Sequence, residues 1–125
     1  MLFRRRKTTG QKGEALARKF LRKKGWKIVT KNLRVGHDEV DIIALSPKGK
    51  TLALVEVRST QNPNQDPRQT IGHRKRRCMA RAARKLRALA HCHNTRLRVD
   101  LVTVNFGFIP PEISLYEEQL PISKM

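Results

Sequence analysis

The run TLALVEVRS, residues 51–59, constrains this chain's fold more than any other stretch. Its apolar and β-branched residues alternate as in a strand bound for the interior, with Leu52, Leu54, Glu56 and Arg58 facing one way and Ala53, Val55 and Val57 the other. An interior strand with an acid and a base two positions apart on one face has to provide for both charges.

The neighbouring segments surround this strand with more of a sheet. WKIVTKNLRV (26–35) and EVDIIAL (39–45) read as two further strands, divided by a turn at GHDE, and SPKGK forms a hairpin turn before the TLALVEVRS strand. The three in succession predict an antiparallel meander. Ahead of them, residues 10–24 place Ala17, Phe20 and Leu21 at helical spacing, with Gly25 as the stop. After the polar, proline-bearing loop TQNPNQDPRQ, residues 71–92 predict a long amphipathic helix with Cys78 or Met79, Ala82, Leu86, Leu89 and Ala90 on its apolar line. RLRVDLVTVNF (96–106) reads as a fourth strand and EISLYEE as a short fifth. The order helix, three strands, helix, two strands predicts a single α/β domain over residues 10–120, preceded by a basic arm at residues 1–9.

Charge narrows the partners. The chain of 125 residues carries a formal net charge of +18, and the excess is clustered. Between Met1 and Arg34 stand 13 Lys or Arg against one acid, Glu14; between Gln65 and Val99 stand 11 against one, Asp66. The acids Asp38, Glu39 and Asp41 sit between the two basic stretches, and Glu56 and Asp100 lie inside apolar runs. This distribution points to a polyanion, nucleic acid before an anionic membrane surface, tracked by Arg4, Arg5 and Arg6 of the arm, Arg18, Arg22 and Lys23 of the first helix, and Arg74, Lys75, Arg77, Arg81, Arg84 and Lys85 of the second. Aromatic residues make up only 5%, which argues against a base-stacking platform and for reading of backbone and shape.

The acids suggest chemistry. If the second and third strands pair through SPKGK, Asp41 and Glu56 fall near the same end of the hairpin, on one face together with Glu39 and Ile43. Two buried anions side by side repel and lose hydration. A divalent cation compensates, and oxygen donors without a usable Cys or His cluster favour Mg²⁺ or Mn²⁺ over zinc. Glu14, the single acid of a helix that must pack on this sheet, can approach the same place. The alternative is structural: Glu56 pairs with Arg58 or another arginine, and Asp41 caps a turn.

The segments GEALARKFLRKKGW, EVDIIAL and LVEVRS, in this order and spacing, resemble the YraN-like family of bacterial proteins, over about residues 10–60. That family is similar to archaeal Holliday-junction resolvases and so to the restriction-endonuclease-like PD-(D/E)XK nucleases. The resemblance implies a restriction-endonuclease-like α/β fold with a central mixed sheet flanked by helices. It implies a metal-dependent endonuclease acting on DNA, branched DNA included, with Mg²⁺ or Mn²⁺ held by Asp41 and Glu56. Glu14 would support the metal or its water, and Glu39 would be an accessory acid. A homodimer would address two strands. Arg58 stands where the family usually has lysine; it retains the charge but not a lysine's capacity to handle protons. The competing readings are the same fold as a non-catalytic nucleic-acid-binding module, and a ribosome- or RNA-associated basic protein whose acids are structural.

Other features carry less. Cys78, His91, Cys92 and His93 lack paired metal-ligand spacing, so no zinc site is expected. His37, beside the acidic strand, is a surface residue, or else it binds phosphate or acts as a base. No apolar run of membrane-spanning length and no secretory leader is visible, and two cysteines without a framework suit a reducing cytoplasm.

Overall fold

Thr8 caps the first helix. In a computed structural model that describes residues 8–120, its hydroxyl accepts from the Gln11 N–H at 3.1 Å while the Gln11 side chain accepts from the Thr8 N–H at 3.0 Å. This capping box starts α1 (Thr9–Lys23). Ala17 and Leu21, four residues apart, bury completely on its inner face. Gly25, with φ +91°, ends the helix: its N–H reaches Arg22 O and the Trp26 N–H reaches Leu21 O, each at 3.0 Å. Trp26 is thereby turned into the core. The arginines at positions 4–6 lie outside the described residues.

Five strands follow as one mixed sheet: β1 (Lys27–Val35), β2 (Asp38–Leu45), β3 (Thr51–Thr60), β4 (Arg96–Asn105) and β5 (Glu112–Leu120), in spatial order β1-β2-β3-β4-β5. β1, β2 and β3 form the expected antiparallel meander. α2 (His73–Cys92) then carries the chain back so that β4 runs parallel to β3, and β5 closes the sheet antiparallel to β4. Within the loop ahead of α2, Pro67–Thr70 make one 3-10 turn.

The helices cover opposite faces. Ala17, Leu21 and Trp26 pack on Ile42, Ala44, Ala53, Val55, Val102 and Val104. Ala82, Ala83 and Ala90 of α2 pack on Val40, Ile43, Leu54, Leu97 and Val99. This is the α/β architecture expected from the element order, three layers deep. Leu89 departs from its expected place on the apolar line: it is 51% exposed, because Ala90 takes the inward position. Asp100, fully buried in β4, is held by Arg98 at 2.8 and 2.9 Å and by the Glu118 N–H at 3.1 Å. Among the described residues, no helix is long and apolar enough to cross a membrane.

The sheet is irregular where β2 and β3 part. The β2–β3 register pairs Leu45 with Leu52 and Ile42 with Val55, which puts Asp41 level with Glu56, as the hairpin predicts. But the ladder stops at Ile42 and Val55, whereas β3 stays paired with β4 as far as Thr60. Beyond that point the sheet has a seam. Strict alternation also fails in β2: Val40 and Ile43, three apart, both pack toward α2. Glu39, Asp41 and Ile43 therefore do not line up along one face as the bare period-two pattern predicts.

Candidate functional site

Asp41 occupies the seam. Its Oδ2 accepts the Val57 N–H at 2.9 Å, a donor that β2 would have satisfied had the ladder continued. Its carboxyl also lies within hydrogen-bonding reach of Glu14, which α1 brings down from the other face. Gly13 makes that approach possible, since a methyl group there would overlap the Ser59 hydroxyl of β3. The residue before Glu14 thus has no side chain, and α1 sits close enough for Glu14 to reach the seam.

Two carboxyls in contact and partly withdrawn from water resist ionising together. Burial pushes the Glu14 carboxyl up, and the negative charge of Asp41 adds to this. Burial also raises Asp41, against the opposing pull of the Val57 N–H, Lys75 and Arg58. Glu39 is exposed and adds a weaker negative field at Glu14.

Glu56 faces the α2 side of the seam and is 7% exposed. Its partner is Lys75, whose Nζ stands 2.8 Å from Glu56 Oε2. This overturns the alternative in which Arg58 neutralises Glu56: among the described residues Arg58 forms no ion pair, and its buried Nε has no hydrogen-bond partner. Lys75 was legible as a basic residue of α2 but not as the counterion of Glu56. The signal was present, for Lys75, Met79, Ala82 and Leu86 share one helical line, and a lysine at the head of an apolar line points inward.

Asp41, Glu56, Lys75 and Glu39 border a cavity of ≈ 20 Å³ whose remaining walls are largely apolar. That space holds one water or one bare ion. Among the described residues no three His, Cys, Asp or Glu side chains converge as a ready ligand set. What converges is the Glu14–Asp41 pair, with Glu56 across the seam. The donors are all carboxylate oxygens, and the strain in the pair is of the kind a hard cation relieves; Mg²⁺ or Mn²⁺ fits this chemistry, with Asp41 and Glu56 as the residues that would hold it.

The basic residues divide by position. Arg74 and Arg77 are exposed in the first turns of α2, beside the seam. That end of the helix has no side-chain cap and no acid in its first turn, so its N–H groups and dipole favour an anion. Arg84 and Lys85 are exposed further along α2. Arg81 has a structural tie: it grips Asp38 at 2.7 and 2.8 Å, fastening the β1–β2 turn to α2 and holding the Asp38 carboxyl down to about 2. Arg18 lies half-buried with its charge near Glu14, whereas Arg22 and Lys23 are exposed in the last turn of α1. His37 is exposed in the β1–β2 turn.

A three-layer α/β protein with buried carboxyls at an opened sheet end, framed by basic helix surfaces, defines the class. The chain belongs to the Uncharacterised protein family UPF0102, whose model matches residues 13–104; this is the YraN family that its motifs resemble. A UPF0102 protein of Anaeromyxobacter dehalogenans is 36% identical over 110 residues, covering 86% of this chain and 80% of that one. One from Pelobacter propionicus is 30% identical over 78% of this chain and 71% of its own, and one from Clostridium perfringens 33% identical over 80% and 81%. Among solved structures, Pyrococcus furiosus SfsA in complex with Ca²⁺ aligns at 14% identity over 86% of this chain and 61% of that one, with a TM-score of 0.30.

Proposed function

We propose that this protein binds DNA and hydrolyses its phosphodiester bonds with a divalent cation, Mg²⁺ or Mn²⁺, at the seam between β2 and β3. The observation that carries this reading is the Glu14–Asp41 carboxyl pair, half-buried where the strand ladder opens, with the buried Glu56 across the gap. A fold gains no stability from apposed, partly desolvated carboxyls, so a position like this is a candidate for function.

A divalent cation held there would supply Lewis acidity and acidify a bound water. The residues do the rest. Asp41, fixed by the Val57 N–H through Oδ2, would be one of the residues holding the cation. Glu56 would hold it from the α2 side. Glu14, raised by its surroundings, accepts a proton more readily than an exposed glutamate. The exposed start of α2, with Arg74 and Arg77, receives the flanking phosphates. Branched or structured DNA suits a chain that contacts backbone and shape, and cutting two strands with one such centre per chain takes two copies. We assign the protein to the cytoplasm, where the free thiols Cys78 and Cys92 persist.

The test is a nicking and junction-cleavage assay on supercoiled and four-way-junction DNA with Mg²⁺ or Mn²⁺. Wild type should cut, and Glu56→Gln should lose about 100-fold or more. One observation favours a second reading. The Lys75–Glu56 pair already neutralises Glu56, as befits a nuclease-like fold that only binds nucleic acid. Binding that survives EDTA, with no cutting when metal is restored, would establish that reading. A strict preference for structured RNA would point to an RNA-associated role.

A further inference from the structure

The site contains two cations near its carboxylates, and they are not equivalent. Arg58 follows Glu56 by two residues on β3, but its Nε is buried without a partner and it grips no acid. Lys75 reaches in from α2 to 2.8 Å from Glu56 Oε2 and keeps 30% of its side chain exposed. Its ammonium has three donors, of which Glu56 takes one. Its flexible stem begins in the first turn of the helix whose uncapped amino end lies beside the seam.

We propose that Lys75, not Arg58, is the working cation of this centre. It occupies Glu56 while no metal is bound, and swings to a non-bridging oxygen of the bound phosphate when a divalent cation takes the carboxylate. The inference deepens the hydrolytic reading above and rests on it. Its physical basis is competition. Lys75 and a divalent cation both seek the oxygens of Glu56, so each weakens the other's hold. Lysine suits this double duty as a compact charge on a mobile stem, whereas an arginine fork would grip a carboxylate with two parallel bonds and release it less readily.

Mn²⁺ alone, titrated calorimetrically into the metal-free full chain at low salt, separates the possibilities. Lys75→Met should bind Mn²⁺ about tenfold more tightly than wild type, because the competitor is gone, while Arg58→Met, which removes a charge near Asp41 but breaks no ion pair, should gain less. Lys75→Arg retains the charge and the fold, and should bind Mn²⁺ no more tightly than wild type. In the nicking assay Lys75→Met should lose activity despite its tighter metal, a sign reversal that a merely structural lysine would not produce. Mn²⁺ binding that is abolished by Glu56→Gln yet equal in wild type and Lys75→Met overturns the role of Lys75 and leaves the metal reading standing. So does tighter binding by Lys75→Arg. Absence of Mn²⁺ binding from wild type and Lys75→Met alike overturns both.

Discussion

The acids near the seam and the acid in the β1–β2 turn titrate in opposite senses. Glu14 and Asp41 hold protons more tightly folded than unfolded. Acidification from neutrality should therefore stabilise the protein as it passes through their raised values, with the gain complete below their ordinary values of 4.5 and 3.8. Asp38, held down to about 2 by Arg81, contributes stability above its ordinary 3.8 and loses it as pH falls toward 2. Urea midpoints measured against pH should thus rise as acidification from neutrality passes through the raised values of Glu14 and Asp41, and fall as pH drops from 3.8 toward 2. Glu14→Gln should raise the melting temperature at pH 7 by a few degrees, flatten the rise and reduce cutting; Asp38→Asn should remove part of the acid-side fall. Gain of stability with loss of activity in Glu14→Gln is the signature of a functional carboxyl, and a loss of stability would contradict it. At this scale much was legible. Asp41 and Glu56 stood out as acids inside apolar strands, and Glu14 as the lone acid of a basic helix. The Lys75–Glu56 and Arg81–Asp38 pairs were not read, because each cation sits among other Lys and Arg of α2 and only the packing of that helix selects which of them turns inward.

Between elements, the decisive contact is α1 on β3 at Gly13. A methyl group there would overlap the Ser59 hydroxyl, and even the Ser59 Cβ would stand 3.1 Å away. Gly13→Ala should therefore cost about 1–3 kcal/mol through displacement of the helix, despite alanine's better helix propensity. Gly13→Ala combined with Ser59→Ala should recover part of that loss, and chemical denaturation of the single and double variants measures the coupling. If Gly13→Ala proved stabilising, the close approach that delivers Glu14 would be wrong. The hairpin register was readable because the SPKGK turn fixes which residues face each other. The opening of the ladder was not, since period-two alternation assumes that a strand stays paired. The break between Val40 and Ile43 is a tertiary event, in which Asp41 gives up its place in the pleat to satisfy the Val57 N–H.

Across the whole molecule, the sheet separates two basic helix surfaces. The α1 surface culminates in Arg22 and Lys23, about 20 Å along a 15-residue helix from its start, while α2 begins beside the seam. A nucleic acid lying over the sheet end would meet Arg74 and Arg77 before it met Arg22 or Lys23. Replacing Arg74 and Arg77 with alanine should weaken binding at low salt and reduce the slope of log affinity against log salt by about 2, whereas the Arg22, Lys23 pair should matter less. Equal effects would mean that both faces are used. The net charge of +18 made a polyanionic partner legible, but not which basic residues lie beside the acids, because that depends on the sheet dividing the helices. The central claim concerns a cation at the opened end of that sheet, and anomalous scattering from Mn²⁺-soaked crystals tests it most directly. The account predicts a peak at about 2.0–2.2 Å from oxygens of Asp41 and Glu56, with Lys75 displaced from Glu56. An empty seam with the Lys75–Glu56 pair intact at saturating Mn²⁺ would contradict it.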